Sequence, residues 1–200
     1  MGSARYDPSP RIGAAKEKAM GDHVCPRWVG YLLISPLRRW FENPEKMLRP
    51  YITDGMTVLD VGPAMGFFTI PAAFLVGDTG RVIAVDIQEE MIESLKKRAA
   101  TAGVARRVDA RLCAPDDIGV SGPIDVCLAF HVVHEVPDAA RLFSQLRAVL
   151  KPGGKVLLTE PRFHVSLKEF QATLERAREQ GFSSGEEGAL SARSAVLTSG

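Results

Sequence analysis

The chain has 200 residues, 46 % of them hydrophobic and 24 % charged, and a formal net charge of +1. That length supports one domain with a full core, and so even a charge balance gives no drive toward nucleic acid or an anionic membrane. Cys25, Cys113 and Cys127 form no C-x-x-C pair, no run approaches the roughly 20 apolar residues of a membrane span, and Met1 to Lys18 lacks a secretory core, so neither a disulfide framework nor a zinc knuckle is expected and the expected setting is cytoplasmic.

Residues 1 to about 20 are rich in Ser, Pro, Gly and charge and have no period, as in a flexible arm. From Pro36, the apolar residues Leu37, Trp40, Phe41, Met47 and Leu48 recur at helical spacing across Pro44, which predicts two short helices, the second capped by Asn43. Asp54-Gly55 turns into a strand over Thr57–Val61. A Gly-rich turn follows, then an apolar helix over Phe67–Leu75 ending near Gly77–Gly80. Arg81–Asp86 is a near-continuous apolar run, as in a parallel strand covered on both faces. Met91, Ile92, Leu95 and Ala99 share one face of a helix over about Glu89–Ala102.

Val108–Leu112 and Pro123–Ala129 read as the third and fourth strands. Leu142, Phe143, Leu146, Val149 and Leu150 mark a helix that Lys151-Pro152-Gly153-Gly154 stops before a fifth strand over Lys155–Thr159. Ser166-Leu167-Lys168-Glu169 has capping-box spacing, and Leu167, Phe170, Leu174 and Ala177 line the helix it opens. The tail, Phe182 to Thr198, leaves room for two short strands around Ser183-Ser184-Gly185. Alternating strands and helices imply an α/β, doubly wound parallel sheet.

The chemistry centres on Val58 to Thr69, where strand, glycine turn and helix succeed one another. That order brings backbone N–H groups and a helix start up to a ligand with no side chain intervening. A dinucleotide G-x-G-x-x-G turn would need glycine at positions 64 and 67, which hold Ala64 and Phe67. A Walker A loop would end in Gly-Lys-Ser/Thr, whereas this turn ends Gly66-Phe67-Phe68. Two acids frame it instead. Asp86, closing the second strand, suits ribose hydroxyls. Asp60, two residues before Gly62, favours a ligand with a cationic amino group and disfavours a phosphate; S-adenosylmethionine carries such a group.

Val58–Thr69, Val82–Asp86 and Leu150–Lys155 resemble three successive motifs of the class I S-adenosylmethionine-dependent methyltransferases, and Phe130–Asp138 resembles a fourth from their small-molecule branch. The resemblance spans about residues 50 to 165. It implies a Rossmann-like seven-stranded sheet, mostly parallel with one antiparallel strand, whose last two strands come from residues 182 to 198. It also implies a methyltransferase domain over 51–200, preceded over 1–50 by an arm and short helices that act as a lid. Asp60, Gly62, Pro63, Ala64, Gly66, Asp86, Ile87, Cys113, Ala114, Asp116 and Phe130 are the expected cofactor residues. Ala64 stands where the family has its middle glycine, and Asp116 is the candidate for an acid that contacts the adenine amino group.

In-line methyl transfer needs no base if the acceptor is well held in a dry site. If a base exists, His131 and His134, after the fourth strand, are the candidates; the plainer alternative is that His134 and Glu135 position the loop and cap the helix near Pro137. H-x-x-H-E is not a zincin order, so no metal is expected. His23 and Cys25, in an irregular segment before the first helices, and Glu160 and His164, after the fifth strand, are candidates for the acceptor site. The cysteines also raise the possibility of a thiophilic acceptor such as an arsenical, although Cys127 within a strand is explained by burial. The expected activity is methyl transfer to a small molecule, with a non-catalytic cofactor-binding sensor or partner subunit as the alternative.

Overall fold

The computed structural model describes residues 43–187 and 190–200. Asn43 accepts a hydrogen bond from the Lys46 amide at 3.1 Å, and with Pro44 in the first turn it starts α1, Pro44–Leu48. The chain continues through β1 (Thr57–Val61), α2 (Thr69–Leu75), β2 (Arg81–Asp86), α3 (Glu89–Thr101), a single 3-10 turn, β3 (Val108–Leu112) and β4 (Ile124–Phe130). After these come α4 (Ala139–Val149), β5 (Leu150–Thr159), α5 (Leu167–Glu179), β6 (Phe182–Glu187) and β7 (Ser194–Ser199). The seven strands form one sheet in the order β3-β2-β1-β4-β5-β7-β6. All neighbours pair parallel except at β7, which runs antiparallel to both β5 and β6.

Alternation along the strands feeds two core layers. Leu59, Cys127, Val156, Leu158 and Leu197 face the layer built with Phe143 and Leu146 of α4 and Phe170 and Leu174 of α5. Val58, Val126, Leu128, Leu157 and Val196 face the opposite layer, with Leu48 of α1, Ala72 and Ala73 of α2 and Ala99 of α3. Central strands buried on both faces explain their continuous apolar runs.

β4, read as Pro123–Ala129, spans Ile124–Phe130, and three further boundaries differ from those read in the sequence. The helix predicted from Phe67 starts at Thr69, because Phe67 and Phe68 belong to the turn and are buried there. β5 begins at Leu150, and Lys151–Gly154 loops out as an irregularity between the pairs Ile124–Leu150 and Val126–Lys155. Ser183-Ser184-Gly185 lies inside β6, so the chain reverses beyond Glu187. The capping box at Ser166 and Glu169 forms as its spacing predicts. Among the described residues no helix is long and apolar enough to cross a membrane.

The strand order reverses between β1 and β4, and in open parallel sheets the crevice at that point, beyond the carboxyl ends of the strands, receives the ligand. The loops after β1, β2, β4 and β5 all emerge at this edge. The loop before β7 joins them, because Ser194 pairs with Thr159 at the end of β5.

Candidate active site

After β1 the backbone turns through Gly62 at φ +68° and Gly66 at φ +87°. The space beside both glycines belongs to the protein. A Cβ on Gly62 would stand 2.8 Å from Val132 of the loop after β4, and one on Gly66 would stand 2.4 Å from Leu95 of α3. These glycines therefore let two neighbouring elements close onto the turn, a role the ligand-centred sequence reading misses. Ala64 keeps its Cβ in the left-handed region at φ +49°. Its amide and that of Ile87 help to stabilise the charge of the Asp86 carboxylate, to which the Gln88 amide donates at 2.9 Å. Pro63 is buried beneath the turn and Met65 accepts a hydrogen bond from Arg98.

Asp60, next to last in β1, and Asp86, the last residue of β2, are 2 % and 8 % exposed. Thr69, the first residue of α2, donates its hydroxyl to Asp60 Oδ2 at 2.6 Å. Burial pushes the Asp60 carboxyl up to about 7, against the lowering effect of that hydrogen bond and with a further push from the charge of Asp86. Burial likewise raises Asp86 to about 6, although three backbone amides stabilise its anion. Neither carboxylate forms an ion pair among the described residues. Two strained, cation-free acids suit a ligand that brings its own positive charge and repel a phosphate.

Around this pair the remaining expected cofactor residues fall at the same edge. Ile87 is 43 % exposed directly after Asp86. The Cys113 amide donates to the Asp86 carbonyl at 3.0 Å, and Ala114 and Asp117 close a small turn beyond it. Burial and the charges of Asp86 and Asp117 push the Cys113 thiol up to about 11. The Asp116 carboxylate lies 3.3 Å from Arg141 of α4, and its carbonyl accepts from Arg141 and Gln145. Phe130 packs edge-on against Phe68 with ring centroids 4.3 Å apart, and Phe68 against Phe67 at 5.0 Å.

On the other side of the switch point, β4 and β5 carry a second set of groups. His131 has φ +59° and donates its amide to the Thr159 carbonyl at 2.8 Å, which ties the loop after β4 to β5. Glu160, whose side chain is 1 % exposed, accepts the His134 amide at 3.1 Å with one oxygen and meets His134 Nδ1 at 2.6 Å with the other. The opposite ring nitrogen, Nε2, lies 3.8 Å from Glu135. Desolvation opposes protonation of His134, but the hydrogen bond and charge of Glu160, with the charge of Glu135, outweigh it and raise the pKa above the usual histidine value. Burial and the neighbouring Glu160 and Asp86 raise Glu135, with His134 opposing.

The pairing was not evident in the sequence, since 26 residues separate the partners and only the register of β4 with β5 joins them. Helix capping near Pro137 falls to neither His134 nor Glu135: Asp138 accepts the Arg141 amide at 3.0 Å and starts α4. His164 is exposed, its ring 6.2 Å from that of His134. His23 and Cys25 lie outside the described residues. Cys127 is fully buried in β4. Among the described residues no group of three or more His, Cys, Asp or Glu side chains is arranged to hold a metal ion.

Sheet order, glycine turn and paired acids together define a Rossmann-like methyltransferase fold. Residues 52–188 match the family model described as a methyltransferase domain, and the chain belongs to that family, the class I S-adenosylmethionine-dependent methyltransferases. Over 114 residues it is 32 % identical to a ubiquinone biosynthesis O-methyltransferase of Paramagnetospirillum magneticum, covering 57 % of this chain and 43 % of the relative. Over 107 residues it is 36 % identical to an arsenite methyltransferase of Halobacterium salinarum, covering 53 % and 27 %. The chain thus spans less than half the length of these curated relatives. A crystal structure of a SAM dependent methyltransferase from Aquifex aeolicus shares the fold with a TM-score of 0.79 at 21 % identity, over 88 % of this chain and all of that one.

Proposed function

We propose that this chain transfers a methyl group from S-adenosylmethionine to a small-molecule acceptor by in-line displacement, with His134 taking the acceptor's proton. The observation that carries the reading is the His134–Glu160 pair at the carboxyl edge, beside the crevice that Asp60 and Asp86 line. When bound, S-adenosylmethionine supplies an electrophilic methyl on a sulfonium. In this reading Asp86 accepts the ribose hydroxyls, Asp60 favours the amino end, and the backbone of Gly62 through Gly66 follows the methionine portion. Ile87, Cys113 and Ala114 flank the adenine, with Asp116 at its amino group, and Phe130 walls the methionine end.

A neutral His134 whose Nδ1–H is donated to Glu160 leaves Nε2 as the acceptor of a proton, the division of roles that a base oriented by a carboxylate requires. Glu160 is then a positioning residue instead of a contact to the acceptor, and His164 remains a candidate at the rim. His131, with its amide committed to β5, serves the loop. The names of the relatives, which concern quinone biosynthesis and arsenite, support a small acceptor. Among the described cysteines Cys127 is buried and Cys113 is held as a thiol, which supports a hydroxyl acceptor over a thiophile, while Cys25 lies outside the described residues.

Incubation with methyl-labelled cofactor and a panel of phenols, thiols, amines and arsenite tests this. Label is expected in a phenolic or enolic product. Tight binding of S-adenosylhomocysteine with no label in any acceptor would make the chain a cofactor-binding module instead.

A further inference from the structure

Arg193 stands at the same edge, and among the described residues its side-chain Nε has no hydrogen-bond partner. Its carbonyl accepts the Glu160 amide at 2.9 Å, so its backbone lies beside the residue that holds His134. Ser194, 1 % exposed, fixes the turn around it: its hydroxyl accepts the amides of Leu190 and Ser191 at 3.0 and 2.8 Å and donates to the Ser191 carbonyl at 2.7 Å. The side chain leaves this stiff turn partly buried, and its Nε is shielded from water without a hydrogen-bond partner. Buried donors are ordinarily satisfied, and a guanidinium with five N–H donors and no acceptor can be satisfied only by an acceptor oxygen, best by a charged one that takes two donors at once. Ser199, the other buried orphan among the described residues, pairs with Phe182 at the opposite end of β7 and has no such neighbourhood.

We infer that Arg193 is a specificity residue that binds a carboxylate on the acceptor, so that the substrates are small hydroxy or phenolic acids. The inference rests on the acceptor site proposed above. Planarity and single charge favour a carboxylate over a phosphate, because Glu135 and Glu160 already make this edge acidic and a dianion beside them would be repelled. A turn held by the Ser194 hydroxyl and carrying an unsatisfied Nε needs little further ordering to bind.

The test uses the whole chain saturated with S-adenosylhomocysteine and titrates it calorimetrically with hydroxybenzoates and with their methyl esters, which keep the ring and lose the charge. The acids are expected to bind at least about tenfold more tightly than the esters. R193Q is expected to bring acid and ester within about twofold while S-adenosylhomocysteine affinity is kept. R193K, with charge but no fork, is expected to fall between and serves as the readout if R193Q does not fold. Equal binding of acids and esters by the native chain, or a preference that survives both substitutions, would overturn the inference. A preference that Arg193 controls, without transfer of label to any acceptor, would sink the proposed reaction and leave the anion site standing.

Discussion

Ala64 holds a Cβ at φ +49°, in a region that costs an L-residue roughly 1–2 kcal/mol. Such strain persists where the surroundings enforce it, and here the amide of the strained residue is one of three that help to stabilise the charge of Asp86. Ala64→Gly is expected to raise stability by roughly 0.5–1 kcal/mol in urea denaturation, the relief of strain being partly offset by a freer unfolded chain. Asp86→Ala is expected to weaken S-adenosylhomocysteine binding by roughly 1–3 kcal/mol through lost charged acceptors, read by calorimetry. Glu160→Gln removes the Glu160 charge that helps to raise His134 and leaves that of Glu135. A base must be neutral, so the acid limb of kcat/KM marks the histidine, and in the variant it should move to lower pH while kcat falls. A limb that stays in place would dissociate His134 from the proton transfer. Asp60, Asp86 and the glycines are legible from spacing alone. Glu160 is legible only as an acid at a strand end, since its partner depends on strand register.

At the level of elements, local chemistry and tertiary packing divide the work. Asn43, Asp138 and Ser166 each cap a helix through the third amide onward, and such signals can be read in the sequence because donor and acceptor are neighbours. Ser166→Ala should cost about 1 kcal/mol by chemical denaturation, without changing cofactor affinity, because α5 packs on the layer of Phe170 and Leu174 away from the glycine turn. The start of α2 and the irregular opening of β5 were less legible. Phe67 and Phe68 have the hydrophobicity of a helix face, yet their burial in the turn against Phe130 decides their place. Lys151–Gly154 reads as a stop, and it is one for α4, but strand pairing resumes on both sides of it. Composition could not reveal that.

Across the whole molecule, the buried acids tie stability to pH. Asp60 and Asp86 rise from 3.8 to about 7 and about 6 on folding, and His134 rises as well. Each binds a proton more tightly when folded, so this stabilisation is fully present below the unfolded carboxyl value and is lost as pH rises through the folded ones. The ligand-free chain should therefore melt at a higher temperature at pH 5 than at pH 8. S-adenosylhomocysteine, whose ammonium group favours ionised carboxylates, should produce its larger thermal shift at pH 8. The reverse order in either measurement would place these carboxyls elsewhere on the titration scale. The sheet itself was legible in the sequence, through alternation of strands and helices and through four ordered motifs; the turn before β7 was not, because no motif marks it. Its antiparallel entry has an evolutionary consequence. β6 brings the chain back to the carboxyl edge of the sheet and β7 starts there, more than a hundred residues after the glycine turn. A chimera that exchanges the β6–β7 hairpin between relatives should therefore transplant acceptor preference as a cassette, with the cofactor half left as inherited.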